Sequence, residues 1–373
     1  MVRTKALPVI LAAALLFSAA SPLTGMHSLA AQKKNTAKTS VIETKKEKSR
    51  TVETPSGEIL TEEELAEKGL SEEEIELLVE EISAPKAQDL VKSTFAILLD
   101  ADTGEVLAGK NEDIPMFPAS MTKVMTVLVA CEHIRHLSDT FTITEDILKF
   151  CAAHDLTTVG YQAGEEVPVM DLLFGTILPS GADASLALGR YCAGSDAAFV
   201  DLMNEKAEEL ELSSTHFTNN MGIRDAAHFS TVHDTAKILM EAQKNLLART
   251  VLSTTQYQTV ATPLHPDGIA ISNLFLRRIA TLDTGGLVMS AKTGFINDAK
   301  FCAASFMIAK DGRHYVCVTG QAPTTMECIG DQAALYKSFT EFMARSDRRQ
   351  ELLQSMDSEA SPAPEEDDGE SLP

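Results

Sequence analysis

Pro118-Ala119-Ser120-Met121-Thr122-Lys123 runs straight into an apolar stretch, residues 124–130, which predicts a buried helix. Ser120 then lies at the helix start and Lys123 one turn along the same side, so hydroxyl and amine can meet. A serine hydroxyl is a poor nucleophile at neutral pH. A lysine desolvated by a helical core can shed its proton and become the base that activates it. The helix N-terminus adds partial positive charge, which favours an alkoxide and any oxyanion formed above it. The S-x-x-K spacing alone says little, because about one is expected by chance in a chain of this composition. Another instance, Ser83 and Lys86, encloses Pro85, which holds Ala84 out of helical geometry and gives the two side chains no reason to converge.

Two further phrases carry reactive side chains. Leu178-Pro179-Ser180-Gly181-Ala182-Asp183 places a serine in a turn between helix-like stretches, where on its own it reads as a helix cap. Ser290-Ala291-Lys292-Thr293-Gly294-Phe295 sets a cation and a hydroxyl at the edge of a β-rich segment, and Gly294 permits close backbone approach. Alone, that phrase reads as an exposed strand end.

The elements that would hold these residues follow from patterning. Residues 93–99 and 105–109 are β-prone and flank Asp102-Thr103-Gly104, giving an antiparallel hairpin. Residues 301–309 and 314–319 flank Lys310-Asp311-Gly312 in the same way, and an amphipathic stretch at 332–343 follows. Counting outward from a turn at Asp311 and Gly312 sets Phe306, not Cys302, opposite Cys317, so no disulfide is expected there. Between the hairpins lie helix-like stretches at 121–134, 169–178, 184–192, 196–210 and 232–247. Strands first and last with helices between predict an α+β domain, an antiparallel sheet with an inserted helical cluster.

Composition bounds the rest. The 373 residues are 44% apolar, enough for a substantial core, and 54 acidic against 32 basic side chains give a formal charge of −22. That sign argues against nucleic acid as a partner. Six dispersed cysteines form no C-x-x-C and read as core thiols. Residues 1–30 have a basic start, a short apolar run and small residues at Ser28 and Ala30, the pattern of a secretory signal peptide. Residues 31–85 read as a charged stalk: a basic stretch to residue 50, then acidic text with two capping-box starts, Thr61 with Glu64 and Ser71 with Glu74. The stalk is expected to act as a solubilising helical spacer or, alternatively, as a docking module. The compact domain is expected at 86–347, followed by an acidic disordered tail at 348–373.

Taken together and in this order, Ser120-x-x-Lys123, Ser180-x-Ala182 and Lys292-Thr293-Gly294 resemble the S-x-x-K, S-x-N and K-T-G motifs of penicillin-recognising serine enzymes. The surrounding text, FPASMTKVMTVLVACE, GEEVPVMDLLFGTILPSGADAS and MNEKAEELELSSTHFTNNMGIRDAAHFSTVHD, is similar to the low-molecular-mass D-alanyl-D-alanine carboxypeptidases, across most of residues 90–345. The resemblance implies a β-lactamase/transpeptidase-like fold and a secreted, cell-wall-associated enzyme that removes the terminal D-alanine of peptidoglycan stem peptides without metal or cofactor. It implies Ser120 as acylated nucleophile, Lys123 as its base and Ser180 as proton relay. Lys292 and Thr293 would bind the substrate carboxylate, the N–H groups of Ser120 and Phe295 would form the oxyanion hole, and β-lactams would be covalent inhibitors. His228, Ser230, Thr231 and Asp234 match a family phrase and read as scaffold.

Three positions depart from the pattern. Ala182 stands in place of the S-x-N asparagine, Ile296 in place of a threonine, and no arginine occurs between Gly320 and Lys337. Asp183 and Asn297 are the candidates to compensate. The C-terminal β-domain and membrane helix of many relatives are absent from this text, so membrane contact is expected only through an uncleaved signal or the basic stalk. Ala182 motivates an alternative, a catalytically attenuated module that binds wall peptide or β-lactam. A β-lactamase is a third reading, set against the lack of an S-D-N sequence and of an identifiable deacylating glutamate.

Overall fold

The computed structural model describes residues 50–360; the signal-like leader, most of the basic stalk and the last thirteen residues lie outside them. The first elements are β1 (Thr51–Glu53), β2 (Ile59–Thr61), α1 (Glu62–Glu67), α2 (Glu72–Val79) and α3 (Ala87–Leu90). Both capping boxes form, with Thr61 and Ser71 each exchanging hydrogen bonds with the glutamate three residues on. The β1–β2 hairpin was not legible in the sequence, since each strand is only three residues long.

The main sheet begins with β3 (Phe95–Asp100) and β4 (Val106–Lys110). The helical insertion then runs α4 (Thr122–His133), β5 (Thr140–Thr142), α5 (Glu145–Ala153), β6 (Glu166–Pro168), α6 (Val169–Ile177), α7 (Ala182–Ala193), α8 (Asp196–Glu209), α9 (Val232–Lys244) and α10 (Leu246–Ser253). It is followed by β7 (Gln256–Gln258), β8 (Ala270–Ser272) and α11 (Leu274–Ile279). The sheet closes with β9 (Gly286–Ile296), β10 (Lys300–Ala309) and β11 (His314–Ala322), and α12 (Thr325–Ala360) ends the described chain. The stretch 232–247, expected as one helix, is two, because the Asn245 side chain accepts from the N–H groups of Leu247 and Ala248 and starts α10 anew.

The five main strands pair antiparallel in the order β4-β3-β11-β10-β9. This is the expected α+β layout, with the first and last strand pairs joined as one sheet. Along β3, Ile97 and Leu99 face the helical insertion while Ala96 and Leu98 face α12, so both faces are covered and the strand reads as an unbroken apolar run. Helix α4 is buried all round from Thr122 to Ala130, as its sequence requires. At the late hairpin, Ser305 rather than Phe306 lies opposite Cys317; the register is centred on Asp311, in a three-residue loop 310–312 closed by Ala309 and Arg313, rather than on a two-residue Asp311-Gly312 turn. All six cysteines are free, and burial raises the thiol pKa values.

The tail expected from residue 348 is, through 360, a continuation of α12. Leu352 and Met356 are buried with Val52, Leu60, Leu65 and Leu78. The acidic stretch therefore docks on its own chain rather than extending away as a spacer. Arg345 pairs with Glu80 and Arg348 with Glu74 at the edges of this small core. No helix among the described residues is long and apolar enough to cross a membrane.

Candidate active site

Ser120 sits in a 3-10 turn, Ala119–Met121, that leads directly into α4. Ala119 adopts a left-handed φ of 48°, a strained conformation for a residue with a Cβ, and it turns the chain sharply before the serine. Two glycines fix this corner. A Cβ on Gly222, whose φ is +84°, would lie 1.8 Å from the Ala119 carbonyl oxygen. A Cβ on Gly294, in β9, would lie 3.0 Å from the Ser120 nitrogen. The edge strand β9 thus comes against the serine backbone on one side and the 219–223 loop on the other.

Lys123, one helical turn on, is 2% exposed. Its Nζ donates to Ser120 Oγ at 3.1 Å and to the Met221 carbonyl at 2.7 Å. Burial strips the amine of water and brings its pKa down to about 7, against smaller opposing effects of Cys151 and Asp183. A half-neutral amine within hydrogen-bond reach of a serine hydroxyl is a competent general base at physiological pH. Met221 is aimed by Asn219, whose Oδ1 accepts from the N–H groups of Met221, Gly222 and Ile223 at 3.2, 2.8 and 3.1 Å. Sequence reading did not single out Asn219, Met221 or Gly222; the signal was the Asn-Asn-Met-Gly phrase, a turn-forming text with its acceptor three residues before a glycine.

Ser180, at a left-handed φ of 65°, lies in the α6–α7 connection and is not the helix cap its phrase suggested alone: Gly181 is the N-cap residue of α7, with no side-chain cap bond. The Ser180 Oγ accepts from Lys292 Nζ at 2.9 Å, and the same amine donates to the Thr293 carbonyl at 2.7 Å. Lys292 is 1% exposed, and desolvation followed by the charge of Lys123 pushes its pKa well below the ordinary lysine value. Ser120, Ser180, Thr293, Gly294 and Phe295 line one cleft of about 330 Å³, and both lysines lie beneath that lining. The two serines, two lysines and the strand edge named in the sequence are therefore gathered at one hollow.

The departures from pattern are also placed. Ala182, the first residue of α7, is buried in the main apolar cluster and adds no polar group to the cleft. Asp183 turns its carboxylate to the N–H groups of Val159, Gly160 and Ala184, at 2.8, 3.2 and 2.9 Å, and so secures the loop that carries Thr157 to the cleft wall. Asn297 is exposed in the β9–β10 turn and is not among the lining residues. Neither replaces the missing amide.

His228 is held neutral by burial, with a pKa lowered to about 4. Its Nδ1 faces the Thr218 N–H at 3.1 Å, which leaves the proton on Nε2, 2.8 Å from Thr122 Oγ1. Thr231 caps α9, Asp234 accepts from Ser214 and Thr215, and Ser230 joins Thr215. These contacts brace the segment beneath α4 and are those of a scaffold.

Residues 82–322 match the D-alanyl-D-alanine carboxypeptidase family. A 153-residue stretch is 37% identical to D-alanyl-D-alanine carboxypeptidase DacF of Bacillus subtilis, covering 40% of this chain and 38% of that protein. A 232-residue stretch is 32% identical to a D-alanyl-D-alanine carboxypeptidase of Streptomyces sp. (strain K15), covering 59% and 79%. The solved Streptomyces K15 DD-transpeptidase superposes with a TM-score of 0.61 at 25% identity, over 68% of this chain and 98% of that one. Penicillin binding protein 5 from Haemophilus influenzae gives 0.59 at 25% identity, over 68% and 71%. The match therefore spans less than two fifths of the Bacillus protein but nearly all of the Streptomyces structure.

Proposed function

Because the chain belongs to the D-alanyl-D-alanine carboxypeptidase family, we propose that it is a serine-type D,D-carboxypeptidase acting on peptidoglycan stem peptides outside the cytoplasmic membrane. Neutral Lys123 takes the proton of Ser120 as Oγ attacks the carbonyl of the penultimate D-alanine. The oxyanion is received by the N–H groups of Ser120 and Phe295. Ser180, in contact with Lys292, delivers a proton to the departing amine, and terminal D-alanine leaves. Water then attacks the ester on Ser120, with Lys123 again as base, and frees the shortened peptide. The observation that carries this reading is the 3.1 Å contact between Ser120 Oγ and a buried amine whose pKa lies near 7.

A fluorescent penicillin should label the protein covalently, and Ser120→Ala should abolish both labelling and release of D-alanine from a D-Ala-D-Ala peptide. Labelling that survives this substitution would refute the nucleophile. None of the residues lining the cleft carries a carboxylate, which leaves no acidic base positioned there to clear a penicilloyl ester. The label should accordingly persist, and sustained hydrolysis of nitrocefin would favour a β-lactamase instead. Ala182 supports the second reading, an attenuated binder: label without steady D-alanine release above the Ser120→Ala control would establish it.

A further inference from the structure

A second cavity, about 650 Å³ against about 330 Å³ for the catalytic cleft, opens where the end of α9 and the outer side of α10 meet β9 and β10. The two hollows share no lining residue. Its apolar wall is Met240, Met289, Phe306 and Ile308, all of them only half-buried. That size, a mostly apolar wall and a few fixed polar groups are the marks of a small-molecule site. The polar groups say which kind of molecule.

Gln243, in the last turn of α9, lines the cavity and is 8% exposed. Its Oε1 accepts from Ser290 Oγ at 3.2 Å, and Ser290 and Ser253 share a further bond at 2.8 Å, yet its Nε2 is buried with no partner. An unpaired buried amide donor carries a desolvation cost that a ligand acceptor would offset. Arg249 Nη1 donates to the Gln243 carbonyl at 3.1 Å, which fixes the guanidinium over the end of α9. The other charges of the lining are matched, Lys244 by Glu241 and Asp102 by His314. Arg249 has no carboxylate partner among the described residues, in a chain of net charge −22. A guanidinium presents a planar fork of donors that fits a carboxylate.

We propose that this cavity binds a small carboxylate that carries an aryl or acyl group. Arg249 receives the carboxylate, Gln243 turns its unpartnered Nε2 to meet it, and the apolar group lies among Met240, Met289, Phe306 and Ile308. The site stands apart from Ser120 and holds whichever reaction the catalytic cleft performs. Arg277, exposed beside a separate depression at β7 and β8, supplies a control of equal charge.

The probe is hydrocinnamate, a phenyl ring and a carboxylate with no D-amino acid in it. It is titrated by calorimetry against its carboxamide, hydrocinnamide, on the purified chain before and after treatment with penicillin. Wild type should bind the acid saturably, about 10-fold more tightly than the amide, and equally in both forms. Arg249→Gln should weaken the acid about 10-fold and leave the amide within about twofold, which erases the preference. Met240→Trp should fill the cavity and abolish binding of both, while Arg277→Gln should change neither. Arg249 is exposed, so its substitution decides the matter even where Met240→Trp fails to fold. Displacement of the probe by penicillin, a preference that survives Arg249→Gln, or no saturable binding at millimolar probe would overturn the site. A wild type that takes no penicillin would overturn the carboxypeptidase reading instead, and the variants would still decide this one.

Discussion

At the floor of the cleft, Lys123, Asp183, His228 and Lys292 are all buried, and each is satisfied by groups from chain segments that fold against it. On the C-terminal half of α12 the arrangement is inverted. There six buried apolar side chains, Val52, Leu60, Leu65, Leu78, Leu352 and Met356, hold the acidic segment, and its charges remain at the rim as exposed or half-exposed ion pairs. Buried polar groups specify position, because losing a partner leaves a desolvated group unpaired, whereas rim pairs are solvated either way. Substitutions in the two regions should therefore differ in both size and readout.

The largest effect is expected at Lys123. Lys123→Ala removes the base and should lower D-alanine release about 100- to 10,000-fold while the protein stays folded. Acylation by wild type should rise with pH, with a midpoint near the amine's pKa of about 7, and level off above it. Stability should shift the same way. Between about 7 and the ordinary value of 10.5 the unfolded chain binds a proton that the folded amine does not, so the unfolding free energy increases with pH across that window. An acylation rate that is flat from pH 6 to 9, or retained in Lys123→Ala, would contradict the assignment.

Next is Gly222. Its left-handed backbone and the 1.8 Å approach to the Ala119 carbonyl leave no room for a methyl group. Gly222→Ala should cost about 3 kcal/mol of stability and slow penicillin acylation, because the serine corner must move. Thermal unfolding and labelling kinetics report the two effects; a stable, fully reactive variant would show that the corner is not clamped there.

Local signals carried most of this region. Ser120 and Lys123 could be placed on one helix side because residues 124–130, apolar but for Thr126, read as the body of a buried helix. Ser180 and Lys292 were nameable from their phrases, but their contact across 112 residues was not, since it depends on where β9 lies against the α6–α7 turn. The extension of α12 was hidden for a related reason. Averaged over residues 348–373 the text is acidic and proline-bearing, yet Leu352 and Met356 are one helical turn apart and meet a partner nearly 300 residues upstream.

That docking gives the third test. Leu78→Ala should cost the acidic segment about 2 kcal/mol, the low end for a buried leucine because so small a core can relax. The loss should appear as faster hydrogen exchange and proteolysis within residues 51–80, with penicillin acylation unchanged. Impaired acylation would mean that the segment and the cleft are coupled, and the contrast between the two regions would fail.

The smallest effect is expected at Arg348. Its guanidinium is half exposed beside Glu74 and also reaches Glu351, and Glu74 has a second role as the reciprocal partner of Ser71 in the α2 capping box. Removing the arginine leaves the capping box in place and two carboxylates free to hydrate. Arg348→Ala should therefore change stability by about 0.5 kcal/mol or less, and raising the salt concentration in wild type should have an equally slight effect on exchange in residues 51–80. A larger loss, or strong protection lost in salt, would show that charge rather than the six apolar side chains holds the segment to α12.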